Sequence, residues 1–299
     1  MNGWTFTKVF KINGRLLVAD TIEQAIKLFH LYSDVDIRSI DQVCGSGFHD
    51  YDALIAEPVV CSSKGWELTH ITFTGVDVWT DIDRLVDIQR RYPKAEFGVL
   101  MSRNWLENGN RYPSPEVIEN LHGRGLRLSA HLCGSLAREM LYDGAFSSME
   151  NPFYKLLHDL GIFKRIQLNV SGCEEKPIYD IAPYPMEEII IQQGDDHSLF
   201  EYCYINSGEH IAMLLDKSGG LGIDTPIGAP AYAPKVHLGF AGGINPDNVI
   251  EKMSHITHLP VGRFWIDMES GVRTNDRFDL DKVEDVCKKV YDEFLNAKA

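Results

Sequence analysis

Eight short β-branched or apolar runs recur along most of this chain, and their spacing narrows its possible folds more than any other feature. They are Ile71–Gly75, Phe97–Met101, Leu126–His131, Ile166–Val170, Glu188–Gln192, Ile211–Asp216, Val236–Phe240 and Arg263–Asp267. Their starts lie 26, 29, 40, 22, 23, 25 and 27 residues apart, which suits a repeated strand–helix unit. Several intervening segments have helical period: Ile82, Leu85, Val86 and Ile88; Val117, Ile118 and Leu121; Val249, Ile250 and Met253. Eight such units in about 230 residues predict an α/β chain folded as a (β/α)8 TIM barrel. The interval of 40 residues holds Pro152 and extra helical sequence, so an insertion is expected there. The fifth and sixth units are less clearly helical. A doubly wound open sheet is the competing architecture, and the lack of a GxGxxG stretch after the first run weakens it.

The barrel is expected over residues 70–299. Before it, residues 1–45 read as a small module. An aromatic and β-branched run meets Arg15–Val18 across Asn13-Gly14, a strong hairpin signal. Asp20 with Glu23 resembles a capping box, Ile22, Ala25, Ile26 and Phe29 share a helical face, and Val35–Ile40 reads as a third strand. Nothing in this β-hairpin–helix–strand unit looks chemical, which suits a docking or oligomerisation role. Residues 46–69 read as a connector.

Composition bounds the partners. Lys and Arg total 29 and Asp and Glu total 43, a net charge of −14. So acidic a chain is a poor match for nucleic acid or an anionic membrane, although a few backbone N–H groups hold a small phosphate locally. Six scattered cysteines form no CxxC pair, so neither a disulfide framework nor a zinc ribbon is expected. His131-x-Cys133 with Cys173 has no diagnostic metal spacing, and no metal or cofactor is expected. No apolar run approaches membrane-spanning length and the N-terminus lacks a signal-peptide pattern, so a soluble cytoplasmic protein is the expectation.

In such barrels chemistry sits at the C-terminal ends of the strands. Those ends carry Thr74 and Asp77, Ser102 and Arg103, His131 and Cys133, Asn169 and Ser171, Gln192, Asp216, Gly242 and Gly243, and Asp267, Ser270 and Gly271. Eight polar ends together point to a ligand-binding mouth. After the seventh strand comes Phe240-Ala-Gly-Gly-Ile-Asn-Pro-Asp-Asn-Val249, whose paired glycines let N–H groups approach an anion. After the eighth, Ser270-Gly271 supplies a hydroxyl and an N–H. Loops at these two places commonly bind phosphate.

These stretches carry a resemblance. Ala241-Gly-Gly-Ile-Asn-Pro-Asp-Asn248 and Ile266-Asp-Met-Glu-Ser-Gly-Val272 resemble the AGGLNPxNV and DxSSGVE stretches of the phosphoribosylanthranilate isomerases of tryptophan biosynthesis. Arg111-Tyr-Pro-Ser-Pro-Glu116 is similar to the family's SPRxVSPE loop. Leu214-Leu-Asp-Lys-Ser-Gly-Gly-Leu-Gly222 is similar to its LLD…GGTG segment, and Gln167-Leu-Asn-Val170 to its QLHG strand. The likeness covers roughly residues 70–299, densely only after 211. It implies that a phosphorylated aminoaldose is opened and rearranged to an aminoketose. It implies Asp216 as the acid that protonates the ring oxygen and Arg111 as a substrate contact. Gly219, Gly220, Gly242, Gly243, Ser270 and Gly271 would lie in the phosphate loops.

The departure is at strand one. Where the family has lysine–isoleucine–cysteine–glycine, with the cysteine as base, this chain has Thr72-Phe73-Thr74-Gly75. A threonine hydroxyl is not a usable base near neutral pH without an activating partner. Asp77, His131 and Cys133 are the candidate substitutes, and His131 is the best by its ordinary pKa. Thr74, Asn169 and Gln192 are expected to contact substrate, and Trp105 is placed to cover an aromatic ring. Two readings follow. One is an isomerase-like or lyase-like enzyme acting on a phosphorylated sugar conjugate. The other is a non-catalytic barrel that binds, senses or sequesters a phosphorylated sugar or nucleotide.

Overall fold

The computed structural model describes residues 8–12, 15–19, 21–32, 40–44, 65–103, 105, 111–142, 153, 156–157, 161–170, 187–207, 210–219, 222–230 and 233–296. The Asn13-Gly14 turn, Asp20, Ser171, Cys173, Gly220 and most of the expected connector lie outside these residues.

Strands β1 (Lys8–Ile12), β2 (Arg15–Ala19) and β3 (Ile40–Cys44) form an antiparallel sheet in the order β2-β1-β3. Ile12 pairs with Arg15, the register a two-residue hairpin loop requires. The third strand begins at Ile40, where the expected run from Val35 ends. Helix α1 (Ile22–Tyr32) is capped one residue later than its sequence suggests. The Thr21 hydroxyl accepts from the Gln24 N–H at 3.2 Å, and the Gln24 side-chain Oε1 accepts from the Thr21 N–H at 3.2 Å, a reciprocal box. Ala25, Leu28, Phe29 and Leu31 on α1 are buried and continuous with the main core. Lys27 Nζ donates to the Ile205 carbonyl at 2.7 Å, tying α1 to the barrel wall.

The barrel strands are β4 (Glu67–Thr74), β5 (Ala95–Met101), β6 (Leu128–Cys133), β7 (Arg165–Asn169), β8 (Glu188–Gln193), β9 (Ile211–Leu215), β10 (Leu238–Phe240) and β11 (Arg263–Met268). All pair in parallel and β11 pairs with β4, so the sheet closes on itself. Every residue of β5 is buried, as a parallel strand covered on both faces requires. Around the barrel run α2 (Ile82–Arg91), α3 (Pro115–Glu119), α4 (Ser135–Tyr142), α5 (Ser198–Ser207), α6 (Val249–Thr257) and α7 (Leu280–Val290). The sixth unit has no α-helix among its described residues. Pro226 and Pro230 lie in its irregular stretch, and a 3₁₀ turn follows at Ala233–Lys235. After β11 comes a small hairpin, β12 (Arg273–Thr274) with β13 (Arg277–Phe278). Asn275 and Asp276 at its tip both have positive φ, as a tight hairpin turn needs.

The barrel interior is divided. Ile190, Ala212, Leu214 and Trp265 form an apolar half. The other half is polar from floor to mouth. At the floor, Arg165 donates to Glu188 and Glu96, each at 2.8 Å, with its guanidinium 4.2 Å from the centre of the Trp265 ring. Glu188 also lies 2.6 Å from His237 Nδ1, and Thr72 donates to Glu96 at 2.9 Å.

Candidate functional site at the barrel mouth

Alternating side chains of β4, β6 and β7 put Thr74, His131, Gln167 and Asn169 on the inner surface, and the polar column reaches the mouth there. The Thr74 hydroxyl donates to Asp267 Oδ1 at 2.9 Å and lies 3.4 Å from His131 Nδ1. His131 Nε2 lies 3.1 Å from the Ser129 hydroxyl. Ser129, His131, Thr74 and Asp267 thus form one hydrogen-bonded row across three strands. Gly98 makes it possible. A Cβ there would stand 2.5 Å from Thr74 Oγ1 and 2.9 Å from His131 Nε2.

Burial sets the protonation of this row. It pushes the Asp267 carboxyl up to about 8, with the Thr74 hydrogen bond opposing. It lowers His131 to about 4, so the imidazole is neutral and weakly basic at neutral pH. Burial also raises the Cys133 thiol to about 11, and Asn169 Nδ2 donates to its sulfur at 3.2 Å.

Asp216, just past β9, is fixed from three directions. Gln192 Nε2 donates to Oδ2 at 2.7 Å, and the Ser218 hydroxyl and N–H donate to Oδ1 at 2.6 and 3.0 Å. Beside it lies the glycine cup. The N–H groups of Gly242, Gly243, Ser270 and Gly271 make no hydrogen bond within the described residues. Gly243 has φ of +67°, and a Cβ on it would stand 2.6 Å from Asp224 Cα, so the close approach of the two loops requires glycine.

The mouth therefore gathers Thr74, His131, Asn169, Gln192, Asp216, Arg111, Gly242, Gly243 and Ser270 from widely separated parts of the chain. Gly219 and Gly271 stand beside it without lining it, Gly271 wedged against the Ile244 carbonyl. Asp77 is not in the mouth. It is buried in the loop after β4, accepting from Arg273 Nη2, the Thr80 hydroxyl and the N–H groups of Trp79 and Phe278. Arg111 is not free either: its Nη1 donates to Glu269 Oε1 at 3.0 Å and its Nε to Asp276 Oδ1 at 2.7 Å. Sequence reasoning counted Asp267 among the polar strand ends of the mouth but gave it no catalytic role, and it gave none to Glu269, Gln167 or Ser218; all four line the mouth. The signal for Asp267 was present, since it ends the eighth strand within the DxSSGVE-like stretch. Its partner Thr74 is 193 residues away.

No family model matches the chain. N-(5'-phosphoribosyl)anthranilate isomerase of Desulfitobacterium hafniense (strain Y51) is 38% identical over 85 residues, covering 24% of this chain and 34% of that protein. The chain thus spans about a third of the length of the curated relative it matches. Similar solved structures include TrpF from Jonesia denitrificans, at 15% identity and TM-score 0.44 over 74% of this chain and 95% of that one. The phosphoribosyl anthranilate isomerase from Thermococcus kodakaraensis gives 18% and 0.42 over 75% and 99%. N-(5'-phosphoribosyl)anthranilate isomerase from Pyrococcus furiosus gives 12% and 0.46 over 75% and 99%. The chain is a closed (β/α)8 barrel, and over a limited stretch its sequence is similar to a phosphoribosylanthranilate isomerase.

Proposed function

We propose that the chain is an acid–base isomerase that converts a phosphorylated aminoaldose conjugate to the aminoketose. The observation that carries this reading is the pair Asp216 and Asp267, two carboxyl groups on one mouth beside a cup of unengaged N–H groups. The cup holds the phosphate through backbone donors and leaves the sugar between the two acids. Asp216 gives its proton to the ring oxygen as the bond from that oxygen to C1 breaks, leaving an iminium. Asp267 then takes the C2 proton, and the enolamine formed rearranges to the ketone as C1 is protonated and the enol hydroxyl loses its proton.

Asp267 replaces the missing cysteine in this scheme. A carboxylate whose pKa is near 8 is matched to proton abstraction near neutral pH, which a threonine hydroxyl or an imidazole lowered to about 4 is not. Thr74 orients it. The test is loss of the fluorescence of N-(5'-phosphoribosyl)anthranilate with the purified protein. Asp216→Asn and Asp267→Asn are each expected to cut turnover by about 10²–10⁴-fold with binding little changed. No turnover of this conjugate, nor of N-(5'-phosphoribosyl)aniline, by the unaltered chain at high concentration would discard the isomerase.

The threonine at the end of strand one favours a second reading, a barrel that holds a phosphorylated sugar or nucleotide without turnover. That reading expects phosphate-dependent binding in calorimetry and no rate for Asp216→Asn to lose.

A further inference from the structure

Arg111, the cation among the described residues that line the mouth, is already neutralised by the protein itself. Arg111 enters from the loop before α3 and its guanidinium meets two carboxylates, Glu269 after β11 and Asp276 at the hairpin tip. Burial raises the Glu269 carboxyl and the Arg111 charge beside it opposes this; with all three ionised the group carries a net charge of minus one. Arg111 stays cationic, since the hydrogen bond to Asp276 raises its pKa. Glu269 lines the mouth beside it. Glu269 also marks a departure from the stretch the chain resembles. In DxSSGV the second residue after the aspartate is serine, and here Asp267-Met268-Glu269-Ser270-Gly271-Val272 has glutamate. A serine there leaves the guanidinium open to a ligand carboxylate, its preferred partner. A glutamate occupies that face and repels a second carboxylate brought beside it.

We propose that this mouth takes a phosphorylated aminosugar conjugate whose amine portion carries no carboxylate, and that Glu269 is the residue that excludes one. The inference rests on the isomerase reading for the sugar and its phosphate and adds the nature of the amine. Discrimination by repulsion is a common way to separate two ligands that share most of their contacts. A neutral arylamine incurs no such repulsion, and the phosphate cup and the two acids treat both conjugates alike.

The decisive comparison uses two probes that differ by one carboxylate, N-(5'-phosphoribosyl)anthranilate and N-(5'-phosphoribosyl)aniline. Their Kd values are measured by calorimetry in the Asp216→Asn background, and kcat/KM in the unaltered chain. The aniline conjugate is expected to bind more tightly by about tenfold or more. Glu269→Ser should tighten the anthranilate conjugate by about tenfold and leave the aniline conjugate within about twofold. Glu269→Gln keeps the shape and removes the charge, so it should shift the ratio in the same direction even if the serine variant folds poorly. Equal or tighter binding of the anthranilate conjugate by the parent protein, or an unchanged ratio in both variants, overturns the proposal. Selectivity in Kd without turnover of either probe would overturn the isomerase reading and leave the exclusion of the carboxylate standing. Binding of neither probe would overturn both.

Discussion

Asp77 Oδ2 and Arg273 Nη2 lie 3.2 Å apart, and both side chains are buried. Asp77 also accepts from the Phe278 N–H at 2.8 Å, and Arg273 Nη1 donates to the Gly75 carbonyl at 2.9 Å. The loop after the first barrel strand is thereby latched to the hairpin after the last. Arg273 stands where the DxSSGVE stretch ends in glutamate, and the facing loop carries the complementary charge in Asp77.

Removing Arg273 leaves the Asp77 carboxylate without a counter-charge in a buried site, and removing Asp77 leaves the buried guanidinium with only the exposed Asp276, 3.4 Å away, as counter-charge. Asp77→Ala and Arg273→Ala are each expected to destabilise the barrel by about 3–5 kcal/mol. Urea unfolding followed by tryptophan fluorescence measures this, and the double variant should cost less than the sum of the two. Single variants that both unfold at the parent's urea midpoint would show that the latch contributes nothing.

Asp267 makes stability and rate depend on pH in opposite senses. Its carboxyl is raised from 3.8 to about 8 by burial, so the folded chain binds this proton more tightly than the unfolded chain. The stabilisation is full below the unfolded value and is lost as pH rises through about 8. Asp267→Asn is expected to flatten that fall, a change on the order of a few kcal/mol. As the base, the same group works only when ionised, so kcat/KM should climb through the same range in the parent and lose that limb in the variant. Denaturation profiles that coincide from mildly acid to mildly alkaline pH would remove Asp267 from this role.

Histidine burial acts at the acid end. His131 is lowered to about 4 and His70 to about 2, both chiefly by burial. A lowered imidazole takes its proton more readily in the unfolded chain. Its stabilisation is present above the ordinary value of 6.5 and is lost as pH falls toward the folded value. Thermal melts at constant ionic strength should show the parent losing stability below about pH 6.5. His131→Asn should show a shallower loss from a lower starting point. An unaltered acid slope in that variant would contradict the assignment.

Gly243 tests the cup separately from the acids. Its positive φ and the 2.6 Å that a Cβ would have to Asp224 leave no room for alanine without moving the loop. Gly243→Ala is expected to weaken binding of inorganic phosphate by roughly tenfold or more while the circular dichroism of the barrel is kept. Unchanged phosphate affinity in calorimetry would place the anion elsewhere.

The strands were legible because a parallel barrel buries both faces, which leaves short apolar runs between polar turns. Their lower ends were less so. β4 begins at Glu67 rather than Ile71, since Thr69 and His70 belong to a polar floor that looks like loop in sequence. β6 starts at Leu128 and β10 is only three residues long, so the runs at Leu126 and Val236 overshoot. In the mouth, strand-end position was enough to find Thr74, Asn169, Gln192 and Asp216 as lining residues. It could not tell that Asp77 turns away to Arg273, because that depends on a hairpin 196 residues distant. Nor could an ordinary pKa near neutrality show that His131 is lowered to about 4, because burial among the strands decides it.

The charged floor has a consequence for assembly of the barrel. Eight strands can in principle close at more than one stagger. Arg165 at the start of β7 holds Glu188 on the adjacent β8 and reaches across β6 to Glu96 on β5. Side chains alternate along a strand, so sliding β7 by one residue would turn the guanidinium outward beneath the helices and leave two glutamates facing each other without a counter-charge. The triad therefore works as a key that fits one shear of the cylinder. The heights at which Thr74, Asp216 and Asp267 meet at the opposite rim are set by that alignment at the base.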